Sequence, residues 1–357
     1  MSTIKIDVLE VNQNIGNIYV GKINAHELYK LAKADIRRIV EGQGYEGIQR
    51  PLVKARIEAV KKYLSTSFAT FPNSIILNLD SDHIESSDAT SITIKCSEKV
   101  FSIIDGQHRL AGFEKPTCFE VIISIFIDLD ISNQAMIFKT INSEQQKVDP
   151  SLKIDLENFN KVDTPEKVTS RIAYAFNIDP ESPWYQSIKL TGNKDSNSEM
   201  GIISQKAFNT PIFRYIYDPQ YYYTVVDMLS ANSNDRKILL GKKELRKAKH
   251  ILWDFYINTQ EMFLYKILFN YFKVFKNIFS EEWGKSLITK TTGYNAMMKL
   301  FGDAFSICKK NGDFSYESFS EVLGGLKNLV GKMSREHYGA SGDSAAEELY
   351  KDMKKYL

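Results

Sequence analysis

Five consecutive residues, Asp105-Gly106-Gln107-His108-Arg109, bring a carboxylate, a flexible backbone, an amide, an imidazole and a guanidinium into one turn. Together they form a set suited to phosphate. A guanidinium grips two phosphate oxygens at once, and a glycine lets an anion approach the main chain closely. Asp105 and His108 are the catalytic candidates. Asp105 would hold a hydrated Mg2+ ion or orient a water, and His108 would bind phosphate or exchange a proton near neutral pH. The competing reading is a two-residue hairpin turn at Asp-Gly with His108 and Arg109 solvated. A hairpin requires a second alternating strand, which Arg109-Leu110-Ala111-Gly112-Phe113 does not supply before Pro116.

The elements around the turn must place it at a strand end. Val100 to Ile104 is a β-branched and aromatic run, so it predicts a strand, and a helical pattern resumes at Leu110. Gly106 then sits where strand gives way to helix, beside N-H groups that favour anions. Upstream, Ile4 to Val20 predicts a hairpin and His26 to Val40 a helix. Gln49 and Arg50 follow a glycine-bearing loop, and Pro51 opens a helix striped by Leu52, Val53, Ile57, Val60 and Leu64. Arg50 would thus meet an anion just before a helix start, or else be a surface charge. Strands are predicted at Ile75 to Leu79, Ile92 to Cys96 and Phe119 to Ile127, with an acidic turn from Asp80 to Asp88. A helix capped by Ser132 runs to Ile141 and presents Asn142, with Gln145 beyond it. These two amides either bind a base, a ribose or the loop backbone, or cap the helix.

Ile103-Ile104-Asp105-Gly106-Gln107-His108-Arg109-Leu110 resembles the signature of the DGQHR-domain family, whose DndB-like members regulate DNA phosphorothioation. Three further stretches resemble it in order and spacing. They are Gly47 to Leu52 with Arg56 and Tyr63, Phe71 to Leu77, and Phe138 with Ile141 to Gln145 and Val148. Gln146-Lys147 stands where the family has Lys-Pro. The resemblance implies an α+β, or mixed α/β, fold. Within it, a ParB N-terminal/sulfiredoxin-like module (residues 1–148) precedes a mostly helical region (149–357). It also implies a nucleotide-responsive, DNA-binding transcriptional regulator with ATP hydrolysis, using ATP or another NTP and Mg2+ at Asp105. Arg50, Gly106, Gln107, Arg109, Asn142 and Gln145 would then bind the nucleotide. A DNA-modification enzyme or phosphodiesterase of the deazaguanine-insertion type is the alternative use of the same pocket, and a non-catalytic interaction module is a third.

The 357 residues, 43% of them hydrophobic, suffice for two domains with buried cores. Three widely spaced cysteines indicate neither a disulfide framework nor a zinc site, so a reducing cytoplasm is expected. The formal net charge is only +2, and any nucleic-acid surface must therefore be local. Residues 236–250 hold seven Lys or Arg against one acid. If that run is helical, Lys242, Arg246 and Lys249 share a face with Lys243 and Lys247 alongside. Such a face either binds the backbone of double-stranded DNA or is simply solvated. Aromatic residues from Ile251 to Phe279 read as core helices, because charges interrupt them too often for a membrane span. No membrane partner is expected, and a homo-oligomer is compatible with the sequence, which does not set the oligomeric state. The vicinity of Tyr221 to Tyr223 reads as a surface connection, and Ser344 with Glu347 as a capping box for the last helix.

Overall fold

A computed structural model describes residues 3–36, 38–40, 44–47, 49, 51–95, 99–144, 150–190, 200–338 and 342–357. In it the chain divides into two compact units, Met1–Lys147 and Val148–Leu357.

The first unit is a mixed sheet with few helices. Its elements are β1 (Thr3–Gln13), β2 (Gly16–Asn24), α1 (Ala25–Leu31), β3 (Ala32–Ala34), β4 (Arg38–Val40), β5 (Gly44–Glu46) and α2 (Lys54–Leu64). They continue with β6 (Ile75–Leu79), β7 (Ile84–Ser87), β8 (Ser91–Lys95), β9 (Phe101–Asp105), α3 (Gln107–Leu110), β10 (Glu120–Ile127) and α4 (Ile131–Glu144). Eight strands form one sheet in the order β3-β9-β6-β10-β2-β1-β8-β7, while β4 and β5 pair separately. The pairs β3/β9 and β6/β10 are parallel, and the others are antiparallel. The long β1 serves two partners: Val8–Gln13 lie against β2 and Thr3–Asp7 against β8. The apolar strands β6, β9 and β10 supply the centre of the core, with Leu77, Leu79, Phe101, Ile123 and Ile125 fully buried.

Tertiary pairing redraws several expected boundaries. The helix predicted over His26 to Val40 ends at Leu31. Asn24 caps its start by accepting from the N-H groups of His26 and Glu27. Beyond Leu31 the backbone turns extended, because Ala32–Ala34 find ladder partners on β9. The acidic turn after β6 contains a further strand, β7, paired with β8. Asp130, not Ser132, accepts from the N-H of Asn133 at the start of α4 (2.9 Å).

The second unit is mostly helical. It comprises α5 (Pro150–Asp155), α6 (Pro165–Ile178), the parallel pair β11 (Ile188–Lys189) and β12 (Ile203–Ser204), α7 (Gln205–Arg214), α8 (Tyr222–Ala231) and α9 (Trp253–Ile257). The series closes with α10 (Glu261–Ile278), α11 (Thr291–Asn311), α12 (Tyr316–Leu323), α13 (Arg335–Tyr338) and α14 (Asp343–Lys354). In the stretch Ile251 to Phe279, Trp253, Tyr256, Tyr271, Phe272 and Phe275 are buried and Phe263 is exposed. Phe272 meets Phe176, Trp184, Phe208 and Tyr294 at centroid separations of 5.7 to 6.1 Å. Among the described residues no helix is long and apolar enough to cross a membrane.

Two expectations fail here. Tyr222 and Tyr223 belong to α8, and the Tyr222 hydroxyl donates to Glu157 at 2.8 Å. Gly342 occupies the cap position of α14, so Ser344 lies inside the helix, and Glu347 pairs with Lys299 instead of closing a capping box.

Candidate functional site

The turn after β9 begins with a register irregularity. Opposite β6, Ile76 faces Asp105 and Leu77 faces Ile103, which leaves Ile104 as the extra residue. A bulge frees backbone groups that burial would otherwise orphan. Gln49 takes up two of them, donating from Nε2 to the carbonyls of Ile103 (2.6 Å) and Ile104 (2.9 Å). Its own Oε1 is buried with no hydrogen-bond partner among the described residues. Gly106 follows at φ +101°, a left-handed conformation that favours glycine. A Cβ there would also lie 3.2 Å from both Arg109 Nη2 and Ile75 Cγ1.

Arg109 faces inward. Nη1 donates to the Asn73 carbonyl (2.6 Å), and Nη2 donates to the Ser74 carbonyl and to Asp105 Oδ2, each at 3.0 Å. The guanidinium thereby ties the turn to the entry of β6, and it neutralises the carboxylate expected to hold Mg2+. Among the described residues no group of three or more His, Cys, Asp and Glu is placed to hold a metal, and the Asp105 carboxylate is paired with Arg109. The helix expected to present N-H groups to an anion, α3, is a single turn of four residues and carries little dipole.

His108 is likewise committed. The Val53 N-H, at the cap position of α2, donates to its Nε2 at 3.1 Å. Only an unprotonated ring nitrogen accepts such a bond. Burial, reinforced by the nearby Arg56 charge and opposed by Asp105, holds the imidazole below its ordinary value of 6.5. In this arrangement His108 is a neutral acceptor that seals the start of α2. That helix begins at Lys54, three residues later than Pro51 suggested.

Gln107 faces a different way, into an open cavity of about 690 Å3 at the β3 edge of the sheet. Its apolar wall includes Leu31, Ile36, Leu52, Ile103 and Leu110, and its charged lining consists of Lys30, Lys33 and Lys99. Among the described residues the lining holds no carboxylate, and the three exposed lysines form no ion pair. An apolar wall beside uncompensated cations suits a ring bearing phosphates, and the volume is that of a small-molecule site. Sequence reasoning missed these lysines because it carried one helix through Val40. Ending that helix at Leu31 would have set Lys30 and Lys33 at its exit.

The remaining expected site residues scatter. Arg50 and Gln145 lie outside the described residues. Asn142 is exposed near the end of α4, and its amide donates to the Phe138 carbonyl one turn back at 2.8 Å.

The basic run forms no α-helix. Residues Arg236–Gly241 and Lys243–Leu245 are 3-10 turns, and Lys242 and Arg246 are extended. The face shared by Lys242, Arg246 and Lys249 therefore does not exist. Burial dictates the path: Leu239, Leu245 and His250 are in the core. Arg236 is inside too, bonded to Glu261 (2.6 Å) and Asp163 (3.3 Å) and lying 4.6 Å from the Tyr256 ring centroid. Arg246 pairs with Asp254 at 3.0 Å and Lys247 with Asp218 at 3.5 Å. Lys242, Lys243 and Lys249 stay exposed without ion pairs among the described residues.

Compared with known protein families, residues 6–179 match the model of the DndB family, described as DNA-sulfur modification-associated. The match takes in most of the first unit together with α5 and α6 of the second. No curated protein and no solved structure matches the chain.

Proposed function

With residues 6–179 making this chain a member of the DndB family, DNA-sulfur modification-associated, we propose that it serves DNA sulfur modification as a nucleotide-responsive DNA-binding regulator. The observation that carries the nucleotide part is the cavity beside Gln107, where Lys30, Lys33 and Lys99 stand uncompensated next to an apolar wall. Gln49 supports it from behind, holding the bulge that aims Gln107. The phosphates meet the lysines, and the base lies against the wall. This reading moves the ligand off Arg109 and Asp105, which bond to each other, and favours sensing over turnover. ATP hydrolysis would need Asp105 or His108 to leave its present partner. DNA contact falls to exposed cations such as Lys242 and Lys243, which line a cavity of about 280 Å3 with Arg246.

Melting of the protein with ATP, other NTPs and inorganic phosphate tests this directly. Wild type should be stabilised by a nucleotide, and Lys33→Gln/Lys99→Gln should bind it at least about tenfold more weakly, about 1.4 kcal/mol, with its apo melting point unchanged. Duplex affinity, measured across salt concentration with and without the nucleotide, should differ between the two states. Indifference of the wild type to every NTP would refute the reading, as would a duplex affinity that ignores nucleotide.

A further inference from the structure

We propose that the groove between α7 and α11 in the helical unit is a second anion site, built for a free phosphate ester of nucleotide size. Each helix turns a polar row toward it. Lys206, Thr210 and Arg214 recur at four-residue spacing on α7, and Thr291, Asn295 and Lys299 do the same on α11, so each row shares one face. Lys249 closes the groove from a third segment. The cavity measures about 660 Å3.

Charge and rigidity both favour a ligand. Lys206, Arg214 and Lys249 form no ion pair among the described residues, although they converge on one cavity. Lys299 is neutralised by Glu347, and among the described residues Asp343 is the one carboxylate in the lining. A positive excess therefore remains, and in a concave site it attracts anions. The walls are pinned in place: the Tyr215 hydroxyl donates to the Met298 carbonyl (2.6 Å), and the Tyr294 hydroxyl donates to the Phe208 carbonyl (2.7 Å). These bonds lock α7 to α11, so the donors stand preorganised and less ordering opposes binding. Tyr215, Met298 and Pro211 add an apolar floor that an inorganic ion alone would not use. Pro211 also lacks the N-H that would bond the Ala207 carbonyl within the helix. Both residues line the groove.

This site does not rest on the reading of the first unit. Calorimetric titration of the full-length chain with ATP, inorganic pyrophosphate and a 5′-phosphorylated single-stranded oligonucleotide tests it. Lys206→Gln/Arg214→Gln should lose one equivalent of ATP, or bind pyrophosphate at least about tenfold more weakly, while Lys33→Gln/Lys99→Gln keeps that equivalent. Lys206→Gln alone, an exposed change on the first turn of α7, should show a smaller loss in the same direction should the double variant fold poorly. Wild-type binding of ATP and pyrophosphate by these variants would overturn the proposal, as would their binding by neither form of the protein. A loss confined to the oligonucleotide would overturn the assignment to a free ligand.

Discussion

Arg109 makes three hydrogen bonds, to two main-chain carbonyls and to Asp105, and those bonds decide what the side chain can do. A guanidinium so engaged holds the turn after β9 against the entry of β6. Removing it leaves a partly buried carboxylate and two carbonyls short of donors. Loss of such charge-assisted bonds costs about 2 kcal/mol. Arg109→Ala should therefore lower the urea midpoint of the apo protein with little change in slope. Undiminished apo stability would mean that the side chain is free to serve a ligand. His108 follows the same logic, since its Nε2 is occupied by the Val53 N-H. Of the five residues in the motif, Gln107 is the one that lines the cavity.

At the scale of elements, the motif works as a joint among β9, β6 and α2. The chain after α3 continues through a 3-10 turn, Ala111–Phe113, that packs directly on α2. Gly112 permits this approach: a Cβ on it would lie 2.5 Å from Val60 Cγ1 and 3.3 Å from Leu64 Cδ1. Gly112→Ala should destabilise the first unit by about 1–3 kcal/mol through overpacking. Val60→Ala in the same chain should restore part of that loss, because it removes the clashing methyl groups. Additive losses in the double variant would show that the two residues do not meet. The basic run shows how packing sets an element's shape. Residues 236–241 form a 3-10 turn, and the Arg236 guanidinium joins Asp163 to Glu261 inside the unit.

For the whole molecule, His108 in the first unit and Glu166 in the second contribute to stability in opposite directions with pH. In the first unit, His108 is held below 6.5 by burial and by Arg56. On acidification the unfolded chain takes up that proton first. The contribution is present above about pH 6.5 and is lost as pH falls toward the depressed folded value. In the second unit, burial raises Glu166 from 4.5 to about 7, against the hydrogen bond from the Tyr217 hydroxyl. Part of the residue reaches solvent, but Oε2 is enclosed and unpartnered. Between pH 4.5 and 7 the folded chain keeps a proton that the unfolded chain has released, so this contribution is full below 4.5 and gone by about 7. His250, lowered chiefly by burial, works against it in the same unit. Relative to wild type, Glu166→Gln should gain stability between pH 5 and 7.5, by up to roughly 3 kcal/mol. No relative gain would exclude a protonated buried acid.

By itself the sequence determined the kinds of group gathered at residues 105–109, the glycine their turn requires, and the central strands, whose apolar runs admit little else. It also carried the family, since those elements recur in order along the chain. It could not determine bonding partners. Arg109 reaches carbonyls 35 and 36 positions upstream, His108 meets a backbone N-H 55 positions away, and Gln49 bonds carbonyls 54 and 55 positions downstream. Such contacts arise only when strands pair and a bulge exposes particular carbonyls. The same holds for the two cation-lined cavities, whose lysines lie far apart in the chain and converge because β3 pairs with β9 and α7 packs on α11. Local periodicity records which face of an element is apolar, and tertiary packing decides which polar groups are consumed by the fold and which remain for a ligand.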